Sequence, residues 1–180
     1  GYAQNSFDSL LNYFHKRNVS PDQLVAAGLA RYRDPQRPKK GAYSLFRDRI
    51  IIPIRDYRGR IIAFGGRKMP NADKSVPKYI NSPESDYFQK RYLLYNLSNA
   101  KIAARKKNNL LICEGYMDVV NLYKFGIQNV VANLGTAMTE RQIDLIWRFF
   151  KKPIICLDGD TSGRKAAIRA AEKLFPLMKP

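Results

Sequence analysis

Ile112-Cys113-Glu114-Gly115-Tyr116-Met117-Asp118 and Ile154-Ile155-Cys156-Leu157-Asp158-Gly159-Asp160 decide how this chain folds. Each is a short apolar run that ends in carboxylates and a glycine, then leads into a stretch of helical composition. A strand buried on both faces reads as a continuous apolar run, and open α/β sheets hold their ligands beyond the carboxyl ends of such strands. Both acidic groups are therefore expected on one edge of a parallel sheet. Working outward, strands are predicted at 110–113, 129–133 and 153–157, with helices at 116–125, 139–150 and 162–175. Alternation of β and α elements at this spacing implies right-handed crossovers and an α/β architecture.

The acids have spacings that suit a shared site. Gly115 permits an abrupt turn after Glu114, and Asp118, four residues on, can project back toward the strand end. Asp158 and Asp160 are two apart, which in an extended segment points them to the same side. Carboxylates converging there would repel one another unless a cation sat among them, and Mg²⁺ takes hard oxygen ligands of this type. Two such ions could activate a hydroxyl and stabilise the leaving oxygen of an in-line phosphoryl displacement. Asp and Gly also shape ordinary turns, so spacing alone leaves both readings open. Asp158-Gly159-Asp160-Thr161 is also similar to the opening motif of haloacid-dehalogenase-type phosphotransferases. That motif has glycine before the threonine and opens its domain, whereas Asp158 lies late in this chain.

Composition narrows the partners. The 180 residues carry 32 Lys and Arg against 15 Asp and Glu, a formal charge of +17, which favours nucleic acid or nucleotides. Cations gather at Arg47, Arg49, Arg55, Arg58, Arg60, Arg67, Lys68, Lys74, Lys78, Lys90 and Arg91. Tyr43, Tyr57, Tyr79, Tyr87, Phe88, Tyr92 and Tyr95 are interleaved with them, the pattern of a cationic groove with stacking rings. No run suits a bilayer span and no signal peptide opens the sequence, so a membrane is not an expected partner. The opening Gly1-Tyr2-Ala3 lacks a start Met, and the chain reads as excised from something longer. Cys113 and Cys156 are the only cysteines and sit in apolar runs, which reads as buried free thiols in a reducing cytoplasm. With no Cys-x-x-Cys pair and His15 the only histidine, neither zinc binding nor histidine acid–base chemistry is supported. No P-loop motif occurs.

The first part of the chain has its own signals. Phe7, Leu10, Leu11 and Phe14 have helical spacing. Ser20-Pro21-Asp22-Gln23 is a capping box with proline at the first helical position, and Gly28 is expected to close that helix. Residues 31–40 read as a solvated connection. Residues 49–55 and 60–65 flank Asp56-Tyr57-Arg58-Gly59 as a β-hairpin, with Pro53 arguing for an edge or bulged position. Residues 69–85 read as loop. Thr139-Glu140-Arg141-Gln142 is a second capping box, and Ile143, Ile146, Trp147 and Phe150 form an apolar stripe expected in the core.

Together these motifs resemble the bacterial replicative primases of the DnaG type. Glu114-Gly115-Tyr116-Met117-Asp118-Val119-Val120 is similar to that family's first acidic motif. The stretch from Leu157-Asp158-Gly159-Asp160 through Thr161-Ser162-Gly163-Arg164-Lys165-Ala166-Ala167 is similar to its second. The 49–54 strand, Phe64-Gly65-Gly66-Arg67, Pro77-Lys78-Tyr79-Ile80-Asn81-Ser82-Pro83-Glu84 and Leu94-Tyr95-Asn96-Leu97 follow in the family's order. The resemblance covers nearly the whole chain.

It implies an α/β fold with a Toprim-type parallel sheet flanked by helices at 106–180, preceded by a mixed α+β basic N-terminal subdomain at 1–105. It implies synthesis of short RNA primers from ribonucleoside triphosphates on single-stranded DNA, in the bacterial cytoplasm at the replisome. Glu114, Asp158 and Asp160 would be ligands for Mg²⁺ or Mn²⁺, with Asp118 as a further catalytic carboxylate. Arg49, Arg67, Lys78, Asn81 and Lys90 would contact nucleotide, template and the RNA primer/DNA hybrid. Zinc and the replicative helicase would be bound by domains outside this chain, which ends at Lys179-Pro180 before the family's third acidic motif. Two other classes remain at this stage: a Toprim protein that cleaves nucleic acid, and a non-catalytic nucleic-acid-binding module.

Overall fold

The computed structural model describes residues 1–135, 137–150 and 152–177. Lys179-Pro180 lie outside the described residues. The described chain forms two compact units, one of Gly1–Ile54 with Ile61–Phe88 and one of Arg55–Arg60 with Gln89–Pro180.

The first unit is built around an antiparallel sheet. Its elements are β1 (Tyr2–Ala3), α1 (Ser9–His15), α2 (Pro21–Ala26), β2 (Ala30–Tyr32), β3 (Ala42–Ser44), β4 (Arg49–Arg55), β5 (Ile61–Lys68) and β6 (Tyr79–Asn81). The sheet order is β1-β4-β5-β6, and β2 and β3 form a separate antiparallel pair. The predicted hairpin is β4 and β5. Pro53 occupies an open stretch of edge, as its missing N–H requires. Ile51 N–H donates to Gly1 O, so Pro53, two residues on, faces the same side beyond the residues paired with β1. The capping box of α2 is present, with Ser20 Oγ accepting from Gln23 N–H and Gln23 Oε1 accepting from Ser20 N–H.

Three short pairings differ from the sequence reading. β6 falls where only loop was expected, β2 enters the supposed connection at 31–40, and β1 forms where the sequence reading placed no element. None of these segments has a long alternating pattern, because each is two or three residues of sheet edge. Pairing with longer strands, not local propensity, fixes them.

The second unit is α/β. It contains α3 (Leu97–Lys107), β7 (Leu110–Cys113), α4 (Tyr116–Lys124), β8 (Val130–Ala132), α5 (Glu140–Phe149), β9 (Pro153–Ile155) and α6 (Thr161–Leu174). β7 lies between β8 and β9 and pairs parallel to both. Ile112, Val131, Ile143, Ile146, Phe150, Ala170 and Leu174 form one buried core, with Trp147 packed against it. Cys113, Val119, Val130 and Ala132 form another. Helix α3, flanked by Asn96 and Asn108 in the left-handed region, supplies Leu97, Ala100 and Ala104 to the first of these cores. Burial of each large aliphatic side chain contributes roughly 1.5–3 kcal/mol.

The thiols correct the sequence reading in part. Cys113 is buried and free, but Cys156 is exposed and free. β9 is the outer strand of its sheet, and its neighbour on that face, Ile154, is 47% exposed. An apolar run at a sheet edge therefore does not guarantee burial.

Candidate functional site

The acidic strand ends meet as the sheet topology requires. β7 and β9 are adjacent and parallel, so Glu114 and Asp158 leave the sheet at the same edge. Asp158 N–H donates to Glu114 Oε1 at 3.3 Å, which brings the Glu114 carboxylate directly to the second motif. Glu114 is half-buried and Asp158 exposed. Among the described residues, no ion pair engages Glu114, Asp118, Asp158 or Asp160.

The other two carboxylates hold helix starts. Asp118 Oδ2 accepts from Gly115 N–H at 2.9 Å and Asp160 Oδ1 from Gly163 N–H at 2.7 Å. Asp160 is the N-cap of α6, and its negative charge complements the helix dipole. Each keeps a second oxygen, but these two acids serve the turn geometry that the sequence left open beside the metal reading.

Gly163 fixes the second motif from below. A Cβ there would overlap the Asp158 carbonyl oxygen and stand 2.8 Å from its carbon, so the helix packs bare backbone against the Asp158 peptide. The spacing from Asp158 to Gly163 thus encodes a close approach as well as a turn.

Hard oxygens are what a divalent cation takes, and this edge offers carboxylates that no ion pair engages among the described residues. Glu114 and Asp158 are joined there by Asn133, which follows β8. Asn133 is 9% exposed and its Oδ1 has no hydrogen-bond partner among the described residues. The donor chemistry fits Mg²⁺ or Mn²⁺. Among the described residues, however, no three His, Cys, Asp or Glu side chains gather closely enough to enclose an ion by themselves.

Thiolate chemistry at Cys113 is disfavoured. Burial, followed by the neighbouring Cys156, pushes the Cys113 thiol up to about 12, so it stays protonated near neutrality. Tyr116 is also withdrawn. Its side chain is buried, and its ring meets Tyr95 edge-on at 5.0 Å between centroids. A cleaving Toprim enzyme that used this tyrosine as nucleophile would need it exposed.

The basic residues divide by role. Arg49 is 4% exposed, and its guanidinium donates to the carbonyls of Pro77 at 2.8 Å, Gly66 at 3.3 Å and Lys78 at 3.4 Å. Burial, with Arg47 nearby, pulls its pKa down. Arg49 therefore clamps the loop that carries Lys78 to β5. Gly66 makes room for this, since a Cβ there would stand 2.6 Å from the Phe46 ring and 3.0 Å from Arg49 Cδ. Lys78 is exposed, with its ammonium 5.7 Å from the Tyr79 ring centroid. Arg67 and Asn81 are half-buried and face each other's strands in the β5–β6 pairing, where Arg67 opposes Tyr79 and Gly65 opposes Asn81.

Lys90 belongs to the second unit. It opens a short 3₁₀ turn, Lys90–Tyr92. That turn is bolted to α5 by fully buried Gln142, whose Nε2 donates to Lys90 O at 3.0 Å and Leu93 O at 2.8 Å. Thr139 Oγ1 adds a bond to Arg91 O at 2.7 Å. The sequence reading saw Thr139 and Gln142 only as a capping box, which is also formed. A glutamine directly before the buried Ile143 was the signal of this second task.

Similarity to known proteins follows the same division. Residues 1–101 match the family described as DNA primase catalytic core, N-terminal domain, and residues 108–178 match the Toprim domain. A DNA primase of Escherichia coli O6:H1 is 44% identical over 178 residues, which cover 99% of this chain and 29% of that protein. A DNA primase of Pseudomonas aeruginosa is 44% identical over 176 residues, 98% of this chain and 26% of that protein. A crystal structure of a DNA primase domain from Pseudomonas aeruginosa superposes with a TM-score of 0.86 at 42% identity, covering 98% of this chain and 53% of that one. The DnaG primase catalytic domain bound to ssDNA superposes with a TM-score of 0.85 at 42% identity, covering 99% of this chain and 54% of that one. The chain thus spans less than a third of its full-length relatives, and Toprim primases typically depend on divalent metal. With acidic strand ends and a clamped basic loop in the expected motifs, and both domain matches in order, this chain belongs to the DNA primase family, across its catalytic-core N-terminal domain and its Toprim domain.

Proposed function

We propose that this chain is the part of a primase that performs DNA-directed synthesis of short RNA primers from ribonucleoside triphosphates. The observation that carries the reading is the Glu114 carboxylate lying against the Asp158 peptide on adjacent parallel strands. Glu114, Asp158 and Asp160 would hold Mg²⁺ or Mn²⁺, and Asp118 would support them. When bound, the cation supplies charge to neutralise the triphosphate and to favour loss of the primer hydroxyl proton.

The remaining work falls to the chain's own residues. Glu114 and Asp158 set where positive charge is held, and the Gly163 contact keeps the Asp158 peptide from drifting. Asp118 and Asp160 fix the first turns of α4 and α6 through their backbone bonds. Arg67, Lys78 and Asn81 in the first unit and Lys90 in the second contact phosphate and base, and Arg49 orders the loop that presents Lys78. Single-stranded DNA, the RNA primer/DNA hybrid and ribonucleoside triphosphates are the ligands. Phosphate contacts by these cations make affinity fall steeply with salt.

In this reading residues 1–105 form the basic subdomain and 106–180 the Toprim subdomain of a longer bacterial enzyme. Zinc and the helicase are bound by other parts of that enzyme, which works at the replisome. Among the described residues, no helix is long and apolar enough to cross a membrane.

Primer synthesis by the full-length parent carrying Glu114→Gln or Asp158→Asn tests the assignment. Loss of at least a hundredfold is expected, in line with removal of a charged group from a site of electrostatic catalysis. Undiminished synthesis in both variants sinks it. Calorimetry of ribonucleoside triphosphate binding with and without Mg²⁺ separates this enzyme from a simple nucleic-acid-binding module, whose affinity would not depend on the cation.

A further inference from the structure

Asn133 is a buried polar residue that the acidic motifs do not account for. In the parallel ladder Cys113 of β7 opposes Ala132 of β8. Asn133 N–H then donates to Cys113 O at 3.3 Å, so the ladder runs one rung past β8 and sets Asn133 beside Glu114. Side chains alternate between faces along a strand, so Glu114 shares a face with Ile112 and Asn133 with Val131. Ile112 and Val131 both pack in the core that contains Ile143, Ile146 and Ala170. Glu114 and Asn133 accordingly line one cavity of about 360 Å³, together with Leu157 from the end of the second acidic strand.

The side chain is more than nine-tenths buried, yet Oδ1 has no hydrogen-bond partner among the described residues. A buried polar atom in that state calls for an explanation, and an ion or a water that completes it is one. An amide oxygen is a hard donor of the same class as a carboxylate oxygen. Lys173 lines the same cavity, but its ammonium donates to Met138 O at 3.2 Å.

We propose that Asn133 Oδ1 is a further oxygen donor to the divalent cation held at Glu114. The assignment deepens the proposed function and rests on its Glu114 site. It makes the cation site a three-strand feature, with a donor following each of β8, β7 and β9. Asn133 then sets the site's affinity and ion preference without adding negative charge.

Manganese titrations of the full-length protein, followed by the paramagnetic resonance signal of free Mn²⁺, test it without recourse to activity. Asn133→Leu keeps the shape and removes the oxygen, and about tenfold weaker binding is expected. Asn133→Asp replaces the amide oxygen with a charged one, and about tenfold tighter binding is expected. A purely structural amide would not give that gain. Should Asn133→Leu fail to fold by circular dichroism, Asn133→Asp carries the test alone. A folded Asn133→Asp protein that binds Mn²⁺ as wild type does, or more weakly, overturns the proposal. That result would be the outcome if Oδ1 were only awaiting Arg169, the other cation lining the cavity. Glu114→Gln distinguishes the two levels. Binding lost there but unchanged in the Asn133 variants removes Asn133 alone, whereas binding retained in Glu114→Gln removes the Glu114 site and this assignment together.

Discussion

The two units place their candidate functional groups by different physical means. In the α/β unit, Glu114 and Asp158 are where they are because parallel strands β7 and β9 end at one edge. The sheet's hydrogen bonds set the separation of those positions, and a strand cannot shift without breaking its ladder. In the first unit, Lys78 sits on a loop between β5 and β6, and a side chain reaches out to hold it. The Arg49 guanidinium does so through three backbone carbonyls. One unit positions charge by topology and close packing, the other by a buried cation spent on main chain. The first device is rigid and sensitive to volume. The second is sensitive to the loss of hydrogen-bond donors.

Gly163→Ala is the substitution expected to hurt most. Alanine in a helix ordinarily stabilises by about 1 kcal/mol relative to glycine. Here its Cβ would overlap the Asp158 carbonyl oxygen, and that atom is backbone, with no flexible end to move aside. Helix α6 must shift away or the 158–160 turn must open. A drop in cation affinity of tenfold or more is expected, with melting temperature lowered. A protein that melts higher, as the intrinsic helix preference alone dictates, would show that the turn is free to relax and that topology does not fix the site.

Arg49→Met tests the other device. It preserves much of the stem and removes the donors to Pro77, Gly66 and Lys78. Loss of charged hydrogen bonds, offset by relief of a desolvated cation, is expected to cost about 2–3 kcal/mol in unfolding free energy. The weakening of single-stranded DNA binding should follow from disorder of the Lys78 loop. It should therefore exceed what removal of one phosphate contact gives in the slope of affinity against salt. A fall confined to one unit of that slope would make Arg49 a direct phosphate ligand instead of a clamp.

These two cases also mark how far the sequence could be read. Glu114 and Asp158 were legible because a strand end is announced by its apolar run, and the sheet then does the rest. The capping boxes at Ser20 and Thr139 were legible because they depend on residues three apart. Arg49 read as the start of a strand and, by resemblance, as a nucleic-acid contact; that its charge goes to carbonyls at 66, 77 and 78 depends on pairing across the sheet. Gln142 looked complete as a cap, and its bonds to Lys90 and Leu93 span about fifty positions of sequence. Cys156 failed for a related reason. Burial of β9 depends on which strand lies beside it, and nothing within 153–157 states that. Local chemistry was readable, and long-range partners were not.

The hairpin turn between β4 and β5 gives the smallest effect and isolates a third way of holding charge, in which a carboxylate accepts from its own turn. Asp56 is 8% exposed; burial works against its ionisation, but bonds from Arg60 and Arg58 outweigh it and hold the carboxyl below its ordinary range. Its Oδ1 accepts from the N–H groups of Arg58 and Arg60 at 2.9 Å, and its Oδ2 from Arg60 Nε at 2.7 Å. A carboxyl depressed in the folded state adds stability that is complete above the unfolded aspartate value, near 3.9. That stability is lost as pH falls through the lower folded value. Asp56→Asn should therefore lower stability by about 1 kcal/mol at neutral pH. The gap from wild type should narrow progressively below about pH 4. Since the Arg60 side chain is 71% exposed, its ion pair adds little, and the gap should survive high salt largely unchanged. A gap that closes with salt but not with acid would transfer the stabilisation from the turn's backbone bonds to the exposed arginine.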